Sequence, residues 1–255
     1  MEKVILITGG SRGIGAATAL LAARQAYAVA VNYTANSLAA DEVVRSIRAA
    51  GGTAITVQGD VAIESDVVAM FKKVDAKLGR LTALVNNAGV VDVTSRVDAM
   101  SLERLQRMFA INVFGSFMCA REAVKRMSTL YGDRSGNGNG NGGSIVNVSS
   151  AAARLGAPGQ YVDYAAAKAA IDTFTLGLAK EVAGEGIRVN AVRPGLIETD
   201  IHASGGLPNR VRDLTPSVPM QRAGTAQEVA EAIVWLLGET SSYTTGTLLD
   251  VTGGR

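Results

Sequence analysis

The chain has 255 residues, 47% of them apolar and 19% charged, the balance of a globular protein able to bury a sizeable core. A formal charge of +2 without any Lys/Arg block argues against a nucleic-acid partner, and no apolar run has the length of a membrane span. With Cys119 the only cysteine and His202 the only histidine, an intramolecular disulfide is excluded and a Cys/His zinc site lacks ligands. Met1-Glu2-Lys3 runs into Val4-Ile5-Leu6-Ile7 without an n-region or cleavage site, so the expectation is a cytoplasmic protein.

In chain order, strand and helix alternate. Val4–Thr8 reads as a buried strand, and a glycine-rich turn leads from it into a helix ending near Gln25. A strand at Val29–Tyr33, a helix near Ser37–Ala50 and a strand at Ala54–Gln58 follow. A helix at Glu64–Leu78 then leads to the strand Ala83–Asn86. Ser101 is a fitting N-cap for one long helix reaching Leu130. Beyond it come strand Ser144–Val148, helix Tyr161–Ala183, strand Arg188–Val192, helix Ala226–Leu237 and a strand at Thr247–Val251. Continuous apolar strands each followed by a helix predict one α/β domain over 1–255, a doubly wound parallel sheet with helices on both faces, Rossmann-like. The Gly/Asn stretch at 135–143 has no side chain that builds a core and is expected as a flexible surface loop.

The turn after the first strand reads Gly9-Gly10-Ser11-Arg12-Gly13-Ile14-Gly15. Glycines there let the backbone approach a pyrophosphate, and the next helix offers free N–H groups and the positive end of its dipole. It is no P-loop, because no Lys-Ser/Thr pair follows. NAD binders usually place an acid at the end of the second strand. Here Asn32 and Tyr33 stand in that region, with no acid before Asp41. Arg12 inside the loop suits a 2′-phosphate, so NADP (NADPH) is expected in preference to NAD.

Tyr164 and Lys168 are four apart in an alanine-rich stretch, which puts them on one helix face. An ordinary helix also carries such pairs. The chemical reading is that the ammonium lowers the phenol pKa and makes Tyr164 a usable acid/base.

Together the residues resemble the short-chain dehydrogenase/reductases over nearly the whole chain. The match consists of Thr8-Gly9-x3-Gly13-x-Gly15, Asp60-Val61, Asn86-Asn87-Ala88-Gly89, Asn112, Ser150, Tyr164-x3-Lys168 and Pro194-Gly195. The resemblance implies hydride transfer between nicotinamide and a carbonyl or secondary alcohol, with Tyr164 as proton donor or base. It gives Lys168 the tuning of Tyr164 and a bond to the ribose, Ser150 the substrate oxygen and Asn112 a relay water. Asp60 and Val61 would meet the adenine, Asn87, Ala88 and Gly89 would pass along the cofactor, and Pro194, Gly195, Ile197 and Thr199 would cup the carboxamide. The family commonly has its serine thirteen residues before the tyrosine. Ser150 is fourteen before Tyr164 and Ser149 fifteen, so Ser149 stays in reserve.

Expected pocket walls are Asp92–Val97, Ala151–Tyr161 and Glu198–Gln221. Leu155, Leu196, Ile201 and Leu207 are candidates for an apolar side, and Arg154, His202 and Arg210 for polar contacts. The resemblance points to 3-oxoacyl thioester reductases or sugar dehydrogenases without choosing between them. A cofactor-binding but inactive regulatory protein is the alternative function. The carboxy-terminal Tyr243–Val251 and the helices after Ser101 and Tyr161 resemble the faces through which family members form homotetramers.

Overall fold

The computed structural model describes residues 3–130, 141–199, 206–207 and 209–255. The first strand, β1 (Lys3–Ile7), buries Val4 and Leu6 in one cluster and Ile5 and Ile7 in another. A strand apolar on both sides has to lie inside a sheet with helices on each face. It leads into α1 (Gly13–Arg24), β2 (Tyr27–Tyr33), α2 (Ser37–Ala49), β3 (Ala54–Gln58), α3 (Glu64–Leu78) and β4 (Ala83–Asn86). Then come α4 (Leu102–Phe109), α5 (Gly115–Met127), β5 (Gly143–Val148), α6 (Ala152–Leu155), α7 (Val162–Val182) and β6 (Ile187–Pro194). The chain closes with β7 (Ile197–Glu198), a short helix Arg210–Leu214, β8 (Gly224–Thr225), a helix Ala226–Leu237 and β9 (Leu248–Val251).

Seven strands pair in parallel in the order β3-β2-β1-β4-β5-β6-β9, and β7 pairs with β8 separately. Helices α3, α5 and α7 pack Phe71, Cys119, Ala123 and Val182 onto one face. Helices α1, α2 and Ala226–Leu237 pack Ala19, Val44, Ile47 and Ile233 onto the other. Phe71 is fully buried, and a truncation of that kind costs roughly 3–5 kcal/mol. Burial pushes the Cys119 thiol up to about 12, so it stays a small apolar residue with no thiolate to react. The strand order reverses between β1 and β4, where Ile7 lies beside Val85. Open α/β sheets bind ligands at such a switch point, beyond the carboxyl ends of the strands.

One expected element is different. The long helix after Ser101 is α4 and α5 joined by a π turn over Ala110–Phe114. Ser101 does cap α4, its hydroxyl accepting from the Arg104 N–H at 3.2 Å. The Asn112 amide nitrogen donates to the Met108 carbonyl at 3.0 Å, four residues back, and so occupies an acceptor of the regular ladder. Of the Gly/Asn stretch, residues 135–140 lie outside the described residues. Among those described, no helix is long and apolar enough to cross a membrane.

Candidate active site

The site is built on α7, and several contacts fix that helix. At its first turn, Asp163 is gripped by Arg104 of α4, with Nε to Oδ2 at 2.7 Å and Nη2 to Oδ1 at 3.3 Å. The same guanidinium donates through Nη1 to the Val93 carbonyl at 2.6 Å. One turn further on, the Lys168 Nζ donates to the Val148 carbonyl at 2.7 Å, and the Ser149 hydroxyl donates to the Lys168 carbonyl at 3.1 Å. The helix is thereby stitched to the carboxyl end of β5.

Ser149 is spent on that stitch and is buried. Ser150 lies against the Tyr164 phenol and favours its charged form, and the Ser150 hydroxyl accepts from the Ala152 N–H at 3.1 Å. The Lys168 Nζ lies 5.6 Å from the Tyr164 ring centroid. The expected pKa relation between these two is reversed. Burial pushes the Tyr164 phenol above its usual value, and the Ser150 hydroxyl and the Arg210 charge only partly offset it. Burial also lowers Lys168, to about 8, against the opposing pull of Asp172. The physical reason is that the Lys168 ammonium is turned to a neutral carbonyl, so desolvation dominates at both groups.

Asn112 is fully buried beside them. Its Oδ1 accepts from the Val90 N–H at 3.2 Å and its Nδ2 donates to the Val90 carbonyl at 3.0 Å. The side chain therefore holds the Gly89–Val90 backbone rather than pointing at open space. A Cβ at Gly89 would stand 2.8 Å from Asn112 Oδ1 and 3.5 Å from Lys168 Nζ, so only glycine passes there.

The glycine loop is clamped from two strands. Gly9 and Gly13 have φ of +59° and +54°, the left-handed region glycine enters freely. Asn32 is 2% exposed, and its Oδ1 accepts from the Gly9 N–H at 3.0 Å. Its Nδ2 donates to the Val57 and Gly59 carbonyls at 3.2 and 3.0 Å. With the side chain so used, Asn32 shapes the loop and offers nothing outward; Tyr33 beside it is half-buried. Asn87 Nδ2 donates to the Thr8 and Gly9 carbonyls at 2.9 Å each, and the Asn87 and Ala88 N–H groups both donate to the Thr8 hydroxyl at 3.0 Å. That role of Thr8 carried no separate signal in the sequence.

A dinucleotide fits this cradle. A Cβ at Gly15 would collide with the Gly9 carbonyl, so only glycine lets the first turn of α1 pack this closely under the loop. Arg12 is extended and exposed at the N-cap of α1, which has no side-chain cap and no acid in its first turn. The positive end of the helix is thus left for an anion. Further along, Asp60 Oδ1 accepts from the Ala62 N–H at 2.9 Å, and Val61 packs against Gly115.

A cavity of about 430 Å³ collects the remaining residues. Ile14, Asn87, Gly89, Pro194, Gly195, Ile197 and Thr199 line it together with Ser150, Tyr164 and Lys168. Gly9, Ser11, Arg12, Gly13, Gly15, Asn32, Tyr33, Asp60, Val61, Ala88 and Asn112 do not line it. Gly13 sits beside one of its lining residues, since a Cβ there would touch Thr199 Cγ2 at 3.4 Å. The walls differ in part from expectation. Ala151–Tyr161 supplies one wall and Leu196 and Arg210 take part, but Asp92–Val97 does not line the cavity, and Asp92 is paired to Arg107 at 3.2 Å. Arg154 is drawn off to Asp250 at 3.3 Å, and Leu207 does not reach the cavity. Ile201 and His202 lie outside the described residues.

The Asp163–Arg104 pair had no signal in the sequence, its members being 59 residues apart. The Asp163 side chain is wholly buried and that of Arg104 10% exposed. Arg104→Met would leave a buried carboxylate unpaired, at a cost of about 3–5 kcal/mol in urea unfolding. The double variant Arg104→Met with Asp163→Asn should recover most of that loss. A single variant as stable as wild type would show that the pair does not hold α7.

A family model described as enoyl-(acyl carrier protein) reductase matches residues 9–255. The uncharacterized oxidoreductase YgfF of Escherichia coli is 55% identical over 252 residues, covering 99% of each chain. A 3-oxoacyl-(acyl-carrier-protein) reductase of Synechocystis is 39% identical over 253 residues, 99% of this chain and 96% of that one. A short-chain dehydrogenase/reductase of Serratia marcescens, solved with two phenylalanines replaced by leucine, superposes with a TM-score of 0.89 at 30% identity, covering 99% of this chain and 97% of that one. With that likeness in sequence and in fold, the chain belongs to the short-chain dehydrogenase/reductase family, enzymes that act on CH–OH donors with NAD(P) as acceptor.

Proposed function

We propose that the protein is an NADP(H)-dependent reductase of a small carbonyl compound, with Tyr164 as the proton donor. One observation carries the reading: Ser150, Tyr164 and Lys168 converge on one cavity at the carboxyl ends of the central strands. When bound, the nicotinamide supplies the hydride. Gly9, Ser11, Gly13 and Gly15 would hold the pyrophosphate and Asp60 and Val61 the adenine. Asn87, Ala88 and Gly89 would run along the cofactor, and Ile14, Pro194, Gly195, Ile197 and Thr199 would meet the carboxamide end. Lys168 and Tyr164 would meet the ribose. Asn32 acts through the shape of the glycine loop, and Asn112 through the Gly89–Val90 wall.

The Ser150 hydroxyl holds the carbonyl oxygen. Tyr164 gives its phenolic proton to that oxygen as it gains charge. A phenol held above its usual pKa stays protonated at neutral pH, the form that reduction needs. Lys168 keeps its proton below about 8 and loses it above. A panel of ketones, oxoacyl thioesters and sugars followed by NADPH absorbance tests the activity. On a working substrate, kcat/KM for reduction should be level below pH ~8 and fall above it, reporting a group of the free enzyme. Lys168→Met should be slower and lack that break. A break that persists in Lys168→Met contradicts the role given to the lysine.

Cofactor preference rests on Arg12 and the missing acid at the end of β2. Arg12→Ala should weaken NADPH binding about ten- to a hundredfold, the worth of one charge-assisted hydrogen bond, and leave NADH nearly unchanged. Equal losses for both would mean that Arg12 does not read the phosphate.

The assembly proposed is a homotetramer with two-fold axes. Phe114, Phe117 and Leu176 are exposed on the α5/α7 side, and β9 ends the sheet with Trp235 and Tyr243 exposed nearby in the chain. Light scattering at micromolar concentration should give four chain masses; a monomer mass removes the proposal.

A further inference from the structure

Arg210, from the short helix Arg210–Leu214, lines the same cavity as Ser150 and Tyr164. Its Nη1 donates to Gln160 Oε1 at 2.5 Å and to the Tyr161 hydroxyl at 3.4 Å. The guanidinium carbon lies over the Tyr161 ring, 5.1 Å from its centroid. A guanidinium carries five N–H donors. Among the described residues, only Nη1 is used; Nε and Nη2 have no acceptor, and no carboxylate lies within ion-pair distance. Arg104, Arg126 and Arg193 differ in this, each set against an Asp or Glu at 3.1 Å or closer. The described residues that line the cavity include no Asp or Glu, whereas Lys168 and Arg210 are both there.

We propose that Arg210 reads a carboxylate on the substrate, so that the protein reduces oxo acids, with the carbonyl oxygen on Ser150 and Tyr164 and the carboxylate on Nε and Nη2 of Arg210. This rests on the reading of the cavity as a carbonyl-reductase site. A guanidinium fork matches a carboxylate in two parallel bonds, which fixes orientation as well as affinity. The Tyr161 ring and the Gln160 amide hold the fork before the ligand arrives, which lowers the ordering cost of binding. Val91, Leu155, Pro158 and Leu196 line the same cavity and give the carbon chain an apolar bed. A volume of about 430 Å³ that also takes the nicotinamide end leaves room for a small acid. The Arg210 charge also draws the Tyr164 phenol downward. A carboxylate seated on Arg210 cancels that pull and keeps Tyr164 in the protonated form that reduction consumes.

The test compares pyruvate, acetoacetate and levulinate, each against its methyl ester, as substrates with NADPH. Wild type should favour at least one acid over its ester. Arg210→Met should raise KM for that acid roughly ten- to a hundredfold and shift KM for its ester far less. Arg210→Lys should restore part of the loss, since it keeps the charge without the fork, and guards against a variant that fails to fold. Equal losses on acid and ester, or a wild type that prefers every ester, overturn the proposal. Tyr164→Phe, run alongside, should lose both substrates; full activity there overturns the underlying reading while the acid-to-ester comparison still judges Arg210. If no pair is turned over, levulinate titrated by calorimetry into the NADPH-loaded enzyme decides. Heat lost in Arg210→Met supports the proposal, and no binding to wild type overturns it.

Discussion

A lysine with 4% of its surface exposed has to be held by something, and here a single peptide carbonyl holds it. Lys168 Nζ meets the Val148 carbonyl at 2.7 Å, at the last residue of β5. Desolvation lowers its pKa to about 8, which places an exchangeable proton near neutrality inside the protein. The same contact fixes the height of α7 on the sheet, and the Ser149 hydroxyl on the Lys168 carbonyl prevents the helix from rotating away. Tyr164, one turn earlier, inherits its position from these two bonds and from Arg104 on Asp163. Proton chemistry and helix docking thus use the same atoms.

The other half of the site depends on side-chain amides. Asn32 joins the glycine loop to the end of β3, Asn87 joins it to the end of β4, and Asn112 holds the next stretch of backbone through Val90. An amide both donates and accepts, so each can tie two backbone segments at once. The loop is thereby held in one shape against the N-terminus of α1, the end of a helix that favours an anion. A flexible glycine turn would lose that arrangement; the amides give it one shape before any ligand arrives.

Much of this was legible in the sequence. The buried strand Ala83–Asn86 opens on a run of apolar residues, Ala54–Gln58 is a short β-branched segment bounded by glycines, and the helices Glu64–Leu78 and Ala226–Leu237 have clear apolar periodicity, so their bounds agree with the structure. The π turn was not legible, because it arises when one asparagine takes a carbonyl from the ladder, and residue type alone does not say which bond wins. Between Ser149 and Ser150 spacing could not choose; in the structure both line the cavity, and the Ser149 hydroxyl donates to the Lys168 carbonyl, a contact that spacing does not contain. Charge proximity along the chain suggested that Lys168 would lower the Tyr164 pKa. Burial of both groups, which a spacing rule does not contain, reverses the direction.

The proposed mechanism depends on Tyr164 as the group that delivers the proton. Its most direct test is single-turnover hydride transfer from bound NADPH in Tyr164→Phe, which keeps the ring packing and removes the hydroxyl. The rate should fall about 10²–10⁴-fold, the usual worth of general acid catalysis, while NADPH affinity stays near that of wild type. A Tyr164→Phe enzyme that transfers hydride at the wild-type rate would contradict the mechanism.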